Sequence, residues 1–140
     1  MREPIAFLLL GLFGLAFDGQ NQVIAAQRSK TNENAARKWY EGGTLHKKGA
    51  LDWQSADAGD KLATCADFVA AAWDKKLFKQ NLQYSIASID DMKPYAQKLV
   101  TFLDSATKKD SDVIKNRQLF TNASVSEIAS IGMVMMGWTK

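Results

Sequence analysis

The sequence predicts an all-α protein: a small single-domain helical bundle of about four main helices, preceded by a signal peptide. Three observations carry that expectation. Only two prolines occur in 140 residues, and the hydrophobic share of 46% is that of a globular chain. Alanine and lysine are abundant while β-branched residues are modest in number, a balance that favours helix over sheet. Apolar residues recur every three or four positions in the longer segments, the period of a helix.

The leader comes first. Met1-Arg2-Glu3-Pro4 supplies a short charged stretch, and Ile5 to Phe17 is an uncharged apolar run of thirteen residues. That length suits the hydrophobic region of a secretory signal and falls short of the roughly 20 residues that span a bilayer. Small residues in Gly14-Leu15-Ala16 place a cleavage site after Ala16, and Val23-Ile24-Ala25 offers a later one after Ala25. Residues 1–25 are therefore expected to comprise the signal and a flexible mature N-terminus, and residues 26–140 the single helical domain. The expected compartment is periplasmic or extracellular, with no stable membrane span after cleavage.

The elements follow in order. Thr31 caps a first helix near 31–41 that carries Trp39 and Tyr40, and Gly42-Gly43 stops it. Thr44 to Ser55 is a connector holding at most a short helix around Ala50–Gln54. Asp57 to Asp60 forms a turn and cap for a second helix near 61–75. Its stripe is Leu62, Cys65, Ala66, Val69, Ala72 and Trp73, and Lys75-Lys76 suit the negative end of its dipole. Phe78 to Ile86 has the character of a linker. The third helix, near 91–106, tolerates Pro94 in its first turn, and Met92, Tyr95, Leu99, Phe102 and Leu103 give it a regular apolar face. Asp112 caps a short helix over Val113, Ile114 and Phe120. Ser124 and Glu127 form a capping box for a last helix near 125–136, with Val125, Ile128, Ile131, Met135 and Trp138 expected on its buried side.

Charge and composition exclude several classes of function. The formal net charge of +3 comes from 18 lysines and arginines against 15 acids, and the two signs are interspersed. Nucleic-acid binding needs a dense basic stripe rich in arginine, so no nucleic-acid partner is expected. The single cysteine, Cys65, rules out an internal disulfide framework. It lies on an alanine-rich helical stripe, so it reads as a buried apolar residue rather than a thiolate nucleophile. His46 and Cys65 are the whole supply of the usual zinc ligands; no metal site and no cofactor are expected. Asp90-Asp91 and the Asp110, Asp112 pair precede helices and are read as caps. The tryptophans at 39, 53, 73 and 138 are read mainly as core, with Trp53, in the connector, the one most open to a functional role. Asn122-Ala123-Ser124 matches a glycosylation sequon.

One segment bears a resemblance. Thr64-Cys65-Ala66-Asp67-Phe68 resembles, over five residues, the threonine-cysteine-acidic-aspartate-phenylalanine segment of the acid-stress chaperones of the bacterial periplasm. That family's second cysteine is absent here, residue 66 is alanine rather than acidic, and the domain is longer, so the likeness assigns no family.

The expected function is that of an exported, non-enzymatic protein-binding module, such as an immunity or inhibitor protein or a stress chaperone. A small apolar ligand-binding protein is one alternative. An exported enzyme with a site around His46, Asp52 and Asp57 is another. The expected interaction surface is the connector, with His46, Lys47, Lys48 and Trp53, because loops on a rigid scaffold carry binding residues disproportionately. His46 and Trp53 are expected to be at least partly exposed on one concave surface.

Overall fold

Helices are the regular elements of the computed structural model, which describes residues 37–140. The signal peptide, both cleavage sites and positions 31–36 of the expected first helix lie outside the described residues. The last five positions of that expected helix, 37–41, form bends and turns.

Six α-helices are present among the described residues: α1 Ala50–Ser55, α2 Ala58–Asp74, α3 Gln80–Ser85, α4 Lys93–Ala106, α5 Val113–Phe120 and α6 Val125–Met135. A single 3₁₀ turn, Asp90–Met92, leads into α4. The all-α expectation holds, but the helices number six rather than four. Three of the expected main helices are present as α2, α4 and α6; the other three are short, α1 and α5 foreseen as short helices and α3 replacing the expected linker. Gln80-Asn81-Leu82-Gln83-Tyr84-Ser85 has one apolar turn only, too short for a period to show.

Side-chain caps explain where the helices begin. Asp57 accepts a hydrogen bond from the Asp60 backbone N–H at 2.8 Å, which starts α2 three residues before the expected position. Asp112 accepts from Ile114 and Lys115 and starts α5. Ser124 accepts from the Glu127 N–H at 3.2 Å and starts α6. The return bond from Glu127, the other half of a capping box, is absent among the described residues. Pro94 sits in the first turn of α4, where its missing N–H is harmless.

α4 is the central helix, packed on α2 along one side and α6 along another, while α1 lies on α5. Leu99 and Leu103 of α4, Cys65 and Val69 of α2, and Val125 and Ala129 of α6 are all buried. Each large aliphatic side chain in such a position stabilises the fold by roughly 1.5–3 kcal/mol. Gly132 lets α6 approach α4: a Cβ there would stand 2.6 Å from Phe102 Cδ1. Phe78 and Tyr95 both meet the Trp138 ring edge-on, at 6.4 and 5.3 Å, closing the core where the chain ends. The segments after α2 and α6 run antiparallel there, with Lys79 N–H donating to the Trp138 carbonyl and Lys140 N–H to that of Leu77.

The α6 register is a correction. Val125, Ala129, Gly132 and Met133 face inward, whereas Ile131 and Met135, expected inside, are 54% and 72% exposed. From Ile131 onward the helix is apolar on every side, so periodicity there does not choose a face. The close approach permitted by Gly132 does.

Candidate functional site

The connector, the expected interaction surface, is held down by a polar network on the first turns of α2. Gly43 lies flat on α2: a Cβ there would meet Thr64 N at 2.6 Å and Thr64 Cα at 2.8 Å. The second glycine of the pair therefore serves a close backbone approach, not only a stop. Beside it the Thr44 N–H donates to Asp60 Oδ1 at 2.7 Å, and the Thr44 hydroxyl donates to Asp60 Oδ2. The buried Thr64 hydroxyl accepts from Leu45 N–H and donates to Asp60 at 3.2 Å. Burial would raise the Asp60 carboxyl, but these bonds, with the charge of His46, outweigh it and hold the group below its ordinary value.

His46 continues the pattern. Its Nε2 donates to Asp67 Oδ2 at 2.7 Å, and its ring meets the Phe68 edge at 5.5 Å. His46 is partly exposed, and Lys47 and Lys48 are exposed. Asp52 accepts from Gly49 N–H at 3.3 Å and Asp57 caps α2, so both carboxylates of the alternative enzyme site make local backbone contacts.

Trp53 is a correction. It is fully buried, at 0% exposure, and its indole N–H donates to Asp104 Oδ1 at 2.9 Å. Lys61 reaches the same Asp104 oxygen and lies over the indole ring. Trp53 and His46 do not share a concave surface. The reason is α1: once residues 50–55 are helical, Ala50 and Trp53 fall on its inner side together, three residues apart. Leu45 is buried as well, so the apolar residues of the connector seal the core. Cys65 is also buried, and burial, aided by the nearby Asp104 charge, pushes its thiol far up, which keeps it from acting as a thiolate at neutral pH.

A second surface lies at the other end of α2, and sequence reasoning missed it. Ile131, Val134 and Met135 project from the outer face of α6, all more than half exposed, and Leu77 beyond α2 is 48% exposed. Leu77, Met133 and Val134 form the apolar floor of an open groove with a volume of about 280 Å³. Lys76 and Lys140 stand at its edge, and Lys79 lies beside Gly137. None of these lysines is paired with a carboxylate among the described residues. The Thr139 hydroxyl oxygen, in the same lining, is buried without a hydrogen-bond partner among the described residues. The available signal was the composition of α6: Ile131-Gly132-Met133-Val134-Met135-Met136 is an unbroken non-polar run longer than one helical turn, which leaves that part of the helix no polar side to turn outward.

The backbone at the groove is unusual in one place. Both α2 and α6 end in the same six-residue stop, with the Leu77 N–H bonded to the Ala72 carbonyl and the Trp138 N–H to that of Met133. The left-handed position is Gly137 in α6, at φ 72°, but Lys76 in α2, at φ 57°.

The comparisons with known proteins add no assignment: no family model, no curated protein and no solved structure matches this chain.

Proposed function

We propose that this is an exported, non-enzymatic protein-binding module whose contact surface is the outer face of α6 and the adjoining groove. The carrying observation is that α6 is apolar on both faces from Ile131 onward while the described residues cover only one, leaving Ile131, Val134 and Met135 open together. Contiguous exposed apolar surface of this kind marks interaction sites, and the methionine among them adapts to varied partners. The groove is open, and its volume sits at the lower edge of the roughly 300–1,000 Å³ typical of small-molecule sites. A partner's side chains suit it better than an enclosed ligand. Export follows from the leader, and an immunity, inhibitor or stress-chaperone role is compatible with both features. The exposed turn of His46, Lys47 and Lys48 is a second, cationic contact region in this proposal.

Site-specific photo-crosslinking in the producing cell tests the contact surface. A benzophenone side chain at Val134 is expected to give a discrete adduct with another protein, and one at the exposed position Lys98 of α4 is not. Equal adducts from both, or none from Val134, would refute the reading. N-terminal sequencing tests export: the mature chain is expected to begin between Phe17 and Gln27, and intact Met1 on soluble cytosolic protein would end that part of it.

A further inference from the structure

We infer that the groove between the ends of α2 and α6 takes an acidic-apolar segment of a partner protein, with apolar side chains on Leu77, Met133 and Val134 and carboxylates against Lys76 and Lys140. The inference rests on the protein-binding reading and names the chemistry of the partner.

Charge makes the choice. The groove lining contains two lysines and no Asp or Glu, and neither lysine side chain pairs with an Asp or Glu among the described residues. Among the described lysines only Lys61, with Asp104, and Lys115, with Asp110, pair with a carboxylate, so what sets the groove apart is that its two lysines border an apolar floor with no Asp or Glu in the lining. Apolar floor and unpaired cations coincide at the groove, and complementary potential there would steer a negatively charged partner and fix its register.

Lys76 strengthens the argument. A left-handed backbone conformation is the place where a chain ordinarily spends a glycine, as α6 does at Gly137. The same stop in α2 instead carries a long cationic side chain at the groove edge, against conformational preference. Backbone outliers of this kind gather at functional sites.

Two other occupants fit less well. A second copy of this chain meeting the groove isologously would set lysines against lysines. An anionic bilayer would lie along the whole outer face of α6, where Glu127, one turn before Ile131, would repel it. A segment seated at the C-terminal end of α6 meets the lysines and avoids Glu127.

The test uses protein purified after expression of the full chain and a phage-displayed library of random peptides as the probe. Peptides whose binding is lost with Val134→Asp are expected to combine Asp or Glu with Leu, Ile, Phe or Trp. Their affinity is expected to fall about five- to tenfold with Lys76→Glu or with Lys140→Glu, and to weaken as salt rises from about 0.05 to about 0.5 M. Replacing the peptide's acids by lysine is expected to restore binding to Lys76→Glu. Peptides that need Val134 but show no acidic enrichment and no loss with either lysine variant overturn this inference and leave the protein-binding reading standing. If no peptide depends on Val134, that reading falls and takes the inference with it. Self-association in sedimentation, or binding to phosphatidylglycerol vesicles, that is lost with Val134→Asp would assign the groove to a second copy or to a membrane and overturn it equally.

Discussion

α2 carries a different kind of surface at each end. At its N-terminal end Thr44, Asp60, Thr64, His46 and Asp67 satisfy one another, and Gly43 presses the connector onto the helix backbone. At its C-terminal end the Lys76 and Leu77 side chains and the outer face of α6 stay exposed among the described residues. The first region holds most of the chain's conspicuous chemistry, including its one histidine, yet that chemistry is spent on folding. The second region is plain in sequence and is left unfinished by the fold. Polar groups that pair internally are architecture; apolar and charged groups that the fold leaves unpaired are where an interaction is to be sought.

The comparison breaks first at Trp53 if the connector is a free surface after all. Trp53→Ala removes a fully buried ring and orphans its contact with Asp104, so a loss of about 3–5 kcal/mol is expected in urea unfolding. A loss near zero would return Trp53 to the surface.

Gly43→Ala is the next largest. Its methyl group would stand 2.6 Å from the Thr64 backbone nitrogen, where no side chain can move aside, so the connector must lift. A loss of about 1–3 kcal/mol is expected, together with a change in the NMR signals of the His46 imidazole as its bond to Asp67 is disturbed. Unchanged stability would mean the connector is not seated on α2.

Asp60 sharpens the contrast through pH. Its folded-state carboxyl is held below the ordinary 3.8, so its contribution to stability is fully present above that value and is lost as pH falls through the lower, folded one. Asp60→Asn is expected to cost about 1 kcal/mol at neutral pH, because the site is largely solvent-screened. That deficit relative to the parent is expected to shrink as pH drops below 3.8. A deficit that stays constant down to the lowest pH would show that the charge of Asp60 plays no part.

Legibility in the sequence divides along the same line. α2 and α4 were readable because each has one apolar face and an opposite polar one, and Asp57, Asp112 and Ser124 announced their helix starts through capping chemistry. Cys65 was placed correctly for the same reason. The α6 face was misread because the helix is apolar all round from Ile131 onward and has no period to read there, and the deciding contact, Gly132 on Phe102, joins residues distant in sequence. Trp53 was misplaced because a helix of six residues, expected around Ala50–Gln54, is too short for a period to show which side of it turns inward. The staples Asp60 and Asp67 and the lysine-edged groove depend on which helix ends meet in space, and a single sequence does not carry that information.

The smallest effect compares the two helix stops directly. Lys76 and Gly137 occupy the same position of the same motif, at φ 57° and 72°. A side chain in that conformation costs roughly 1–2 kcal/mol, and glycine relieves it while losing roughly 0.5–1 kcal/mol to the greater freedom of the unfolded chain. Lys76→Gly is therefore expected to stabilise the domain by about 0.5–1 kcal/mol. Gly137→Lys should lose a similar amount, since a Cβ there would meet nothing nearer than Lys79 Nζ at 3.7 Å and the penalty is conformational alone. Thermal unfolding of the two variants measures both. If Lys76→Gly gains stability and also weakens peptide binding at the groove, the lysine is kept for its charge and not for the fold. If it loses stability instead, Lys76 makes a structural contact at the end of α2, and the contrast between the two ends of that helix is weaker than the paired stops suggest.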